Sequence, residues 1–91
     1  MATLLDDDQI EARLPDGWER VDDEICRTYT FDDYLDGVTF AVDVGELAEA
    51  EFHHPTIEIG YEEVTVSFTS HEEGGITDRD VEMAELTDDV A

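Results

Sequence analysis

The hydrophobic period of this chain changes at His53-His54-Pro55, and that change constrains the fold more than any other feature. Upstream, Tyr34, Val38, Ala41, Gly45, Ala48 and Phe52 recur at spacings of three and four. They form one continuous apolar stripe on a helix that starts at Asp32-Asp33 and runs to about Phe52. The two carboxylates at its start suit the positive end of the helix dipole. Gly45 and Ala48 leave little side chain on the stripe, so another element could approach closely there. Downstream, Val64, Val66 and Phe68 alternate with Thr65, Ser67 and Thr69, which is the period of a half-buried strand. Pro55 disfavours helical geometry at His54 and marks the switch.

The same grammar runs through the rest of the chain. Residues 5–14 read as a short helix, capped by Asp6 with Gln9 as its capping-box partner. Pro15-Asp16-Gly17 ends it. Residues 18–21 and 24–31 read as strands joined at Asp22-Asp23, with Ile25, Arg27, Tyr29 and Phe31 on one face and Cys26, Thr28 and Thr30 on the other. Residues 56–61 and 63–70 form a second strand pair, and Gly74-Gly75 a loop. Thr77 caps a last helix that reaches about Val90, with Val81, Ala84 and Leu86 among its buried positions. The order is helix, strand, strand, helix, strand, strand, helix. It predicts an α+β fold, a four-stranded antiparallel sheet with helices on one face, as a single domain over residues 1–91. A chain of this length buries a thin core, so oligomerisation would help it.

Twenty-seven Asp and Glu face four Arg and no Lys, for a formal net charge of −23. Disorder is one reading, but the apolar residues are patterned and make up 41% of the chain. An acidic decoy of nucleic acid is a second. The third, which the patterning favours, is the solvated carboxylate surface of a salt-adapted protein. In about 1 M salt the Debye length falls to about 3 Å, and self-repulsion is screened. No basic patch exists to contact phosphates, so nucleic acid and anionic membranes are not expected partners. Cys26 is the only cysteine; no intrachain disulfide can form, which fits a reducing compartment. The N-terminus lacks a basic n-region and a long apolar stretch. A soluble, cytoplasmic protein without signal peptide or membrane span is expected.

All three histidines fall in two motifs, His53-His54-Pro55 and Ser70-His71-Glu72-Glu73. Histidine is the side chain whose unperturbed pKa lies near neutrality, so a cluster suggests proton transfer. If the strands flanking Tyr61-Glu62 form a hairpin, both motifs reach the same end of the sheet. Satisfied polar residues are the plain alternative. A zinc site is another, although the spacing is neither that of a zinc finger nor of His-Glu-x-x-His. Thr77-x-x-Asp80 looks like a capping box, and its carboxylate could also hold His71 in one tautomer. Gly74-Gly75 lacks the basic residue of a phosphate loop and reads as a turn.

Ala48-Glu49-x-x-x-His53-His54-Pro55, Tyr61-x-x-Val64 and Ser70-His71-Glu72-x-Gly74-Gly75-Ile76-Thr77-x-x-Asp80-x-x-x-Ala84 together closely resemble the pterin-4a-carbinolamine dehydratases. Gly17-Trp18 and Phe31-x-x-Tyr34 fit the N-terminal half of that family, so the resemblance covers nearly the whole chain. It implies dehydration of 4a-hydroxytetrahydropterin to quinonoid dihydropterin, with a functional link to an aromatic amino acid hydroxylase. It implies His53, His54, His71 and Asp80 as catalytic residues, with His53 and His71 as the proton-transfer pair. Glu49, Pro55, Ser70, Glu72 and Glu73 would contact the pterin. It implies a homodimer or homotetramer, no metal, and no cofactor, the pterin being the substrate. Ser70 stands where the family usually has Thr and Ile76 where Leu is common. The family often has an aromatic near position 57, which is Ile here. A non-catalytic dimerisation or assembly module on the same fold is the alternative.

Overall fold

The computed structural model describes residues 2–91. Asp6 caps α1 (Asp7–Arg13) in a full capping box: its carboxylate accepts the Gln9 N–H at 2.9 Å, and Gln9 Oε1 accepts the Asp6 N–H at 2.9 Å. Then follow β1 (Glu19–Val21), β2 (Glu24–Thr30), α2 (Tyr34–Glu51), β3 (Thr56–Ile59), β4 (Glu63–Phe68), a 3-10 turn (His71–Glu73) and α3 (Asp78–Val90). The element order and the antiparallel sheet are those the sequence predicts. The strand order is β1-β2-β4-β3, so β4 pairs with β2 and β3 holds the edge. The second strand pair ends earlier than its alternation suggests. The Gly60 N–H already bonds the Glu63 carbonyl at 2.7 Å, and Ser70 leaves the ladder to bridge Gly75.

One sheet face is sealed. Ile25 and Tyr29 of β2 and Val64, Val66 and Phe68 of β4 meet Phe40 and Val44 of α2 and Val81 and Met83 of α3 in one buried cluster. Each such side chain contributes about 1.5–3 kcal/mol when fully buried. The opposite face carries Cys26, Thr28, Thr65 and Ser67, with the Thr28 and Thr65 hydroxyls bonded at 2.8 Å. Arg27 lies on the sealed side because Asp88 of α3 receives it. The guanidinium donates to Asp88 Oδ1 at 3.1 Å, Trp18 Nε1 donates at 3.2 Å, and the Tyr29 hydroxyl donates to the same carboxylate. Burial, and then donation to Asp88, push the Tyr29 hydroxyl well above the ordinary phenol range.

The buried face of α2 shares only Ala41 and Ala48 with the predicted stripe. Gly37, Phe40, Ala41, Val44 and Ala48 face the sheet, while Tyr34 and Phe52 are exposed. Apolar residues cover more than one side of this helix, and the sheet takes the side bearing Phe40 and Val44. The close approach is accordingly at Gly37, where a Cβ would meet Val64 Cγ2 at 3.1 Å, and not at Gly45, which faces open space. Leu35 and Val42 point outward on the side left over. The N-terminal strand-like segment is tied down at α3: the Thr3 N–H donates to Asp78 Oδ1 at 2.8 Å, and the Leu5 N–H donates to the Ile76 carbonyl at 2.9 Å. The Thr3 hydrogen bond holds the Asp78 carboxyl below its ordinary value.

Candidate active site

Three element ends meet at one edge of the sheet. α2 stops at Glu51, and Phe52 takes a left-handed conformation (φ 54°, ψ 43°) that turns the chain out of the helix. The His53 N–H still bonds the Ala48 carbonyl at 3.1 Å, so the first imidazole is fixed against the helix end. Pro55 then sends the chain into β3, whose first residue, Thr56, pairs with Ser67 of β4. That register brings the end of β4, and with it Ser70 and His71, beside the histidine pair. Gly74, at φ 87°, closes the 3-10 turn that carries His71, Glu72 and Glu73. α3 then begins at Thr77 and presents Asp80 from its first turn.

Asp80 is fully buried and organises the site. Its Oδ1 lies 2.6 Å from His53 Nε2. Its Oδ2 accepts the Ser70 hydroxyl and the Thr77 N–H, each at 2.9 Å. With Oδ1 acting as acceptor, a neutral His53 carries its proton on Nε2 and its lone pair on Nδ1. The His53 ring also stacks on Phe68, with 10° between planes and 6.1 Å between centroids. This imidazole is therefore held by a helix end, an aromatic face and a carboxylate. The pairing differs from the sequence expectation, which gave Asp80 to His71. α3 docks with its first turn against the end of α2, which puts the carboxylate on His53.

His54 pairs through Nε2 with Glu49. Both are exposed, so the pair contributes little to stability. His71 is exposed and makes no side-chain hydrogen bond among the described residues. A cleft of about 660 Å³ joins these groups, lined by His53, His54, Ser70, His71, Glu72 and Glu73. Glu49 and Pro55 stand behind the histidine pair and do not line it. Four further residues do: Ala2, Phe52, Thr69 and Arg79. Arg79 also donates from Nη2 to the Glu51 carbonyl, bolting the start of α3 to the end of α2. Sequence reasoning singled out none of these four for the site; a cation one residue before Asp80 was the available signal for Arg79. Ile57 packs against the core instead of the cleft. Among the described residues no group of three His, Cys, Asp or Glu side chains is disposed to hold a metal, and no helix is long and apolar enough to cross a membrane.

The chain is thus an α+β domain that brings three imidazoles to one cleft, one of them bonded to a buried carboxylate. The comparisons narrow this. Residues 3–90 match the family model described as Pterin 4 alpha carbinolamine dehydratase, and the chain belongs to that family. A relative from Halobacterium salinarum is 58% identical over 89 residues, covering 98% of each chain. One from Natronomonas pharaonis is 50% identical over 91 residues, covering 100% of this chain and 99% of its own. Both are provisionally named pterin-4-alpha-carbinolamine dehydratases, and both come from halophilic archaea, in keeping with the acidic, Lys-free composition. The crystal structure of a transcriptional coactivator/pterin dehydratase from Brucella melitensis superimposes with a TM-score of 0.89 at 29% identity, over 98% of this chain and 99% of the other.

Proposed function

We propose that this protein dehydrates 4a-hydroxytetrahydropterin to quinonoid dihydropterin by histidine acid–base catalysis. The observation that carries the reading is the Asp80–His53 pair facing a cleft that His54 and His71 also line. In the reaction the C4a–O bond breaks and the hydroxyl leaves as water. The electrons of the N5–H bond form the C4a=N5 double bond. Hydroxide is a poor leaving group near neutral pH, so one group must give the oxygen a proton while another takes the N5 proton. His53, with Nδ1 unprotonated, is built as a base. His71, exposed on the same cleft, acts with it as the proton-transfer partner, and His54 positions the pterin. Ser70, Glu72 and Glu73 supply the wall of the cleft, and Glu49 holds His54. The reaction needs no metal or further cofactor. It would return the pterin to an aromatic amino acid hydroxylase, in the cytoplasm.

The test is a dehydration assay in molar salt comparing the parent with His71→Ala. Because His71 is exposed, the variant should melt like the parent yet lose about 10²–10⁴-fold in rate. A loss below tenfold removes His71 from proton transfer. The second reading, an assembly module, draws on the coactivator description of the Brucella protein and on exposed Leu35 and Val42 along α2. On either reading the outward side of α2 is the surface we assign to a homodimer or homotetramer. A folded protein that leaves the dehydration rate unchanged would favour the assembly module.

A further inference from the structure

We infer that Phe52 is a substrate-binding residue, the aromatic surface against which the flat pyrimidine half of the pterin lies; this rests on the pterin reading above. Phe52 ends α2 at φ 54°. That region is disfavoured for side chains with a Cβ, and helices that end this way usually do so with Gly or Asn. The other non-glycine residue at positive φ, Asp22, sits in the β1–β2 turn and is of a type that tolerates the conformation. A bulky aromatic there is a retained strain, and such strain concentrates where a ligand is gripped.

Burial does not explain the residue. At 86% exposure Phe52 is the most open large apolar side chain among the described residues. It does not project at random, because it lines the cleft and meets the His54 ring edge to face, with centroids 6.0 Å apart and planes at 74°. The cleft's other lining groups are polar or small and suit the edges of a heterocycle. Apart from the imidazoles, Phe52 is the one aromatic ring on the cleft among the described residues. Phe68, the nearest alternative, is fully buried under His53. A planar ligand held at its edges by His54 and Ser70 would find its face partner in Phe52.

The two roles, fold and binding, pull in opposite directions at this position, and that makes the test decisive. The probe is 7,8-dihydropterin, a stable flat pterin, titrated in molar KCl against the parent and Phe52→Tyr, Phe52→Leu and Phe52→Gly. Melting temperature, oligomeric state and the kcat and KM of dehydration are recorded in parallel. Glycine relieves the left-handed strain, so Phe52→Gly should melt above the parent. It should nevertheless bind the probe about 5- to 20-fold more weakly, the scale of one ring–base stack. Phe52→Leu keeps bulk without a π face and should lose a similar factor; Phe52→Tyr should stay within about twofold. The loss should fall on KM and leave kcat nearly unchanged, because the acid–base groups are untouched. Leucine and glycine variants that bind like the parent overturn the inference while the pterin reading stands. So does a changed oligomeric state with unchanged affinity, which would put Phe52 in an interface. A folded parent that binds no pterin overturns the reading itself, and this inference with it.

Discussion

Asp80→Asn separates the two duties of the buried carboxylate. A backbone N–H can only donate, so the asparagine oxygen must stay on the side of Oδ2, where Thr77 N–H and the Ser70 hydroxyl now donate at 2.9 Å. Its NH₂ then takes the place of Oδ1 and faces His53 Nε2 across the 2.6 Å contact. An amide nitrogen donates and does not accept. Nε2 must therefore give up its hydrogen, and the imidazole proton moves to Nδ1, the nitrogen that should accept from the pterin. The ring stays where Phe68 and the end of α2 hold it, but in the wrong tautomer. A positioned acid–base group is worth about 10²–10⁴-fold, and kcat should fall by that much. Stability should drop by only about 1 kcal/mol, as one charge-assisted bond becomes neutral.

Asp80→Ala should behave differently. It strands the buried Thr77 N–H, whose bond to Asp80 is the capping-box bond itself, a penalty of about 1–3 kcal/mol. The Ser70 hydroxyl escapes the loss by turning to Thr77 Oγ1, 2.9 Å away. His53, partly open to solvent, can recruit water. The expected cost is about 1–3 kcal/mol, against a melting shift of about 4–8 °C per kcal/mol for a domain of this size. Stopped-flow dehydration in molar KCl and thermal melts of both variants check the argument. An Asp80→Asn protein within tenfold of the parent rate, or one that melts as early as Asp80→Ala, would refute it.

Two further outcomes follow from charge. With −23 on 91 residues, raising KCl from about 0.1 M to about 1 M shortens the screening length from about 10 Å to about 3 Å and should raise the melting temperature; a flat response would sink the repulsion argument. Burial, and then the Glu19 and Glu24 carboxylates, hold the Cys26 thiol above its ordinary value. A raised value leaves less thiolate at neutral pH, so alkylation of the folded protein should lag that of the unfolded chain, and salt should narrow the gap by screening the two glutamates. Alkylation at the unfolded rate would show that neither burial nor charge reaches the thiol.

Much of this fold is legible in the sequence because each signal is local. The Asp6–Gln9 and Thr77–Asp80 caps span three residues each, and the alternation of β4 declares which side chains face inward. The errors arise where a choice is made by packing. α2 offers apolar residues on two sides, and only the presence of the sheet selects Phe40 and Val44 over Tyr34 and Phe52. Arg27 alternates like a core residue, and nothing nearby in the chain announces Asp88, 61 positions away, as its partner. The motifs name Asp80 and three histidines as a set, but which imidazole receives the carboxylate depends on how α3 docks against α2.

That dependence has a physical root. Every group of the site sits at the end of an element: Phe52 and His53 where α2 stops, Ser70 and His71 where β4 runs out, Asp80 in the first turn of α3. Element ends carry the backbone N–H and C=O groups that the element itself leaves unpaired. A side chain that satisfies one of them is fixed at no extra cost in ordered residues. Asp80 shows the economy: the same oxygen pair that closes the start of α3 orients His53, so the carboxylate cannot drift without loosening the helix. Acid–base catalysis demands such fixity, since proton transfer requires heavy atoms within about 2.6–3.2 Å. Element ends are also what sequence patterns locate least well. The identities of these residues are therefore readable from the chain, while their partnerships emerge only when the three ends meet.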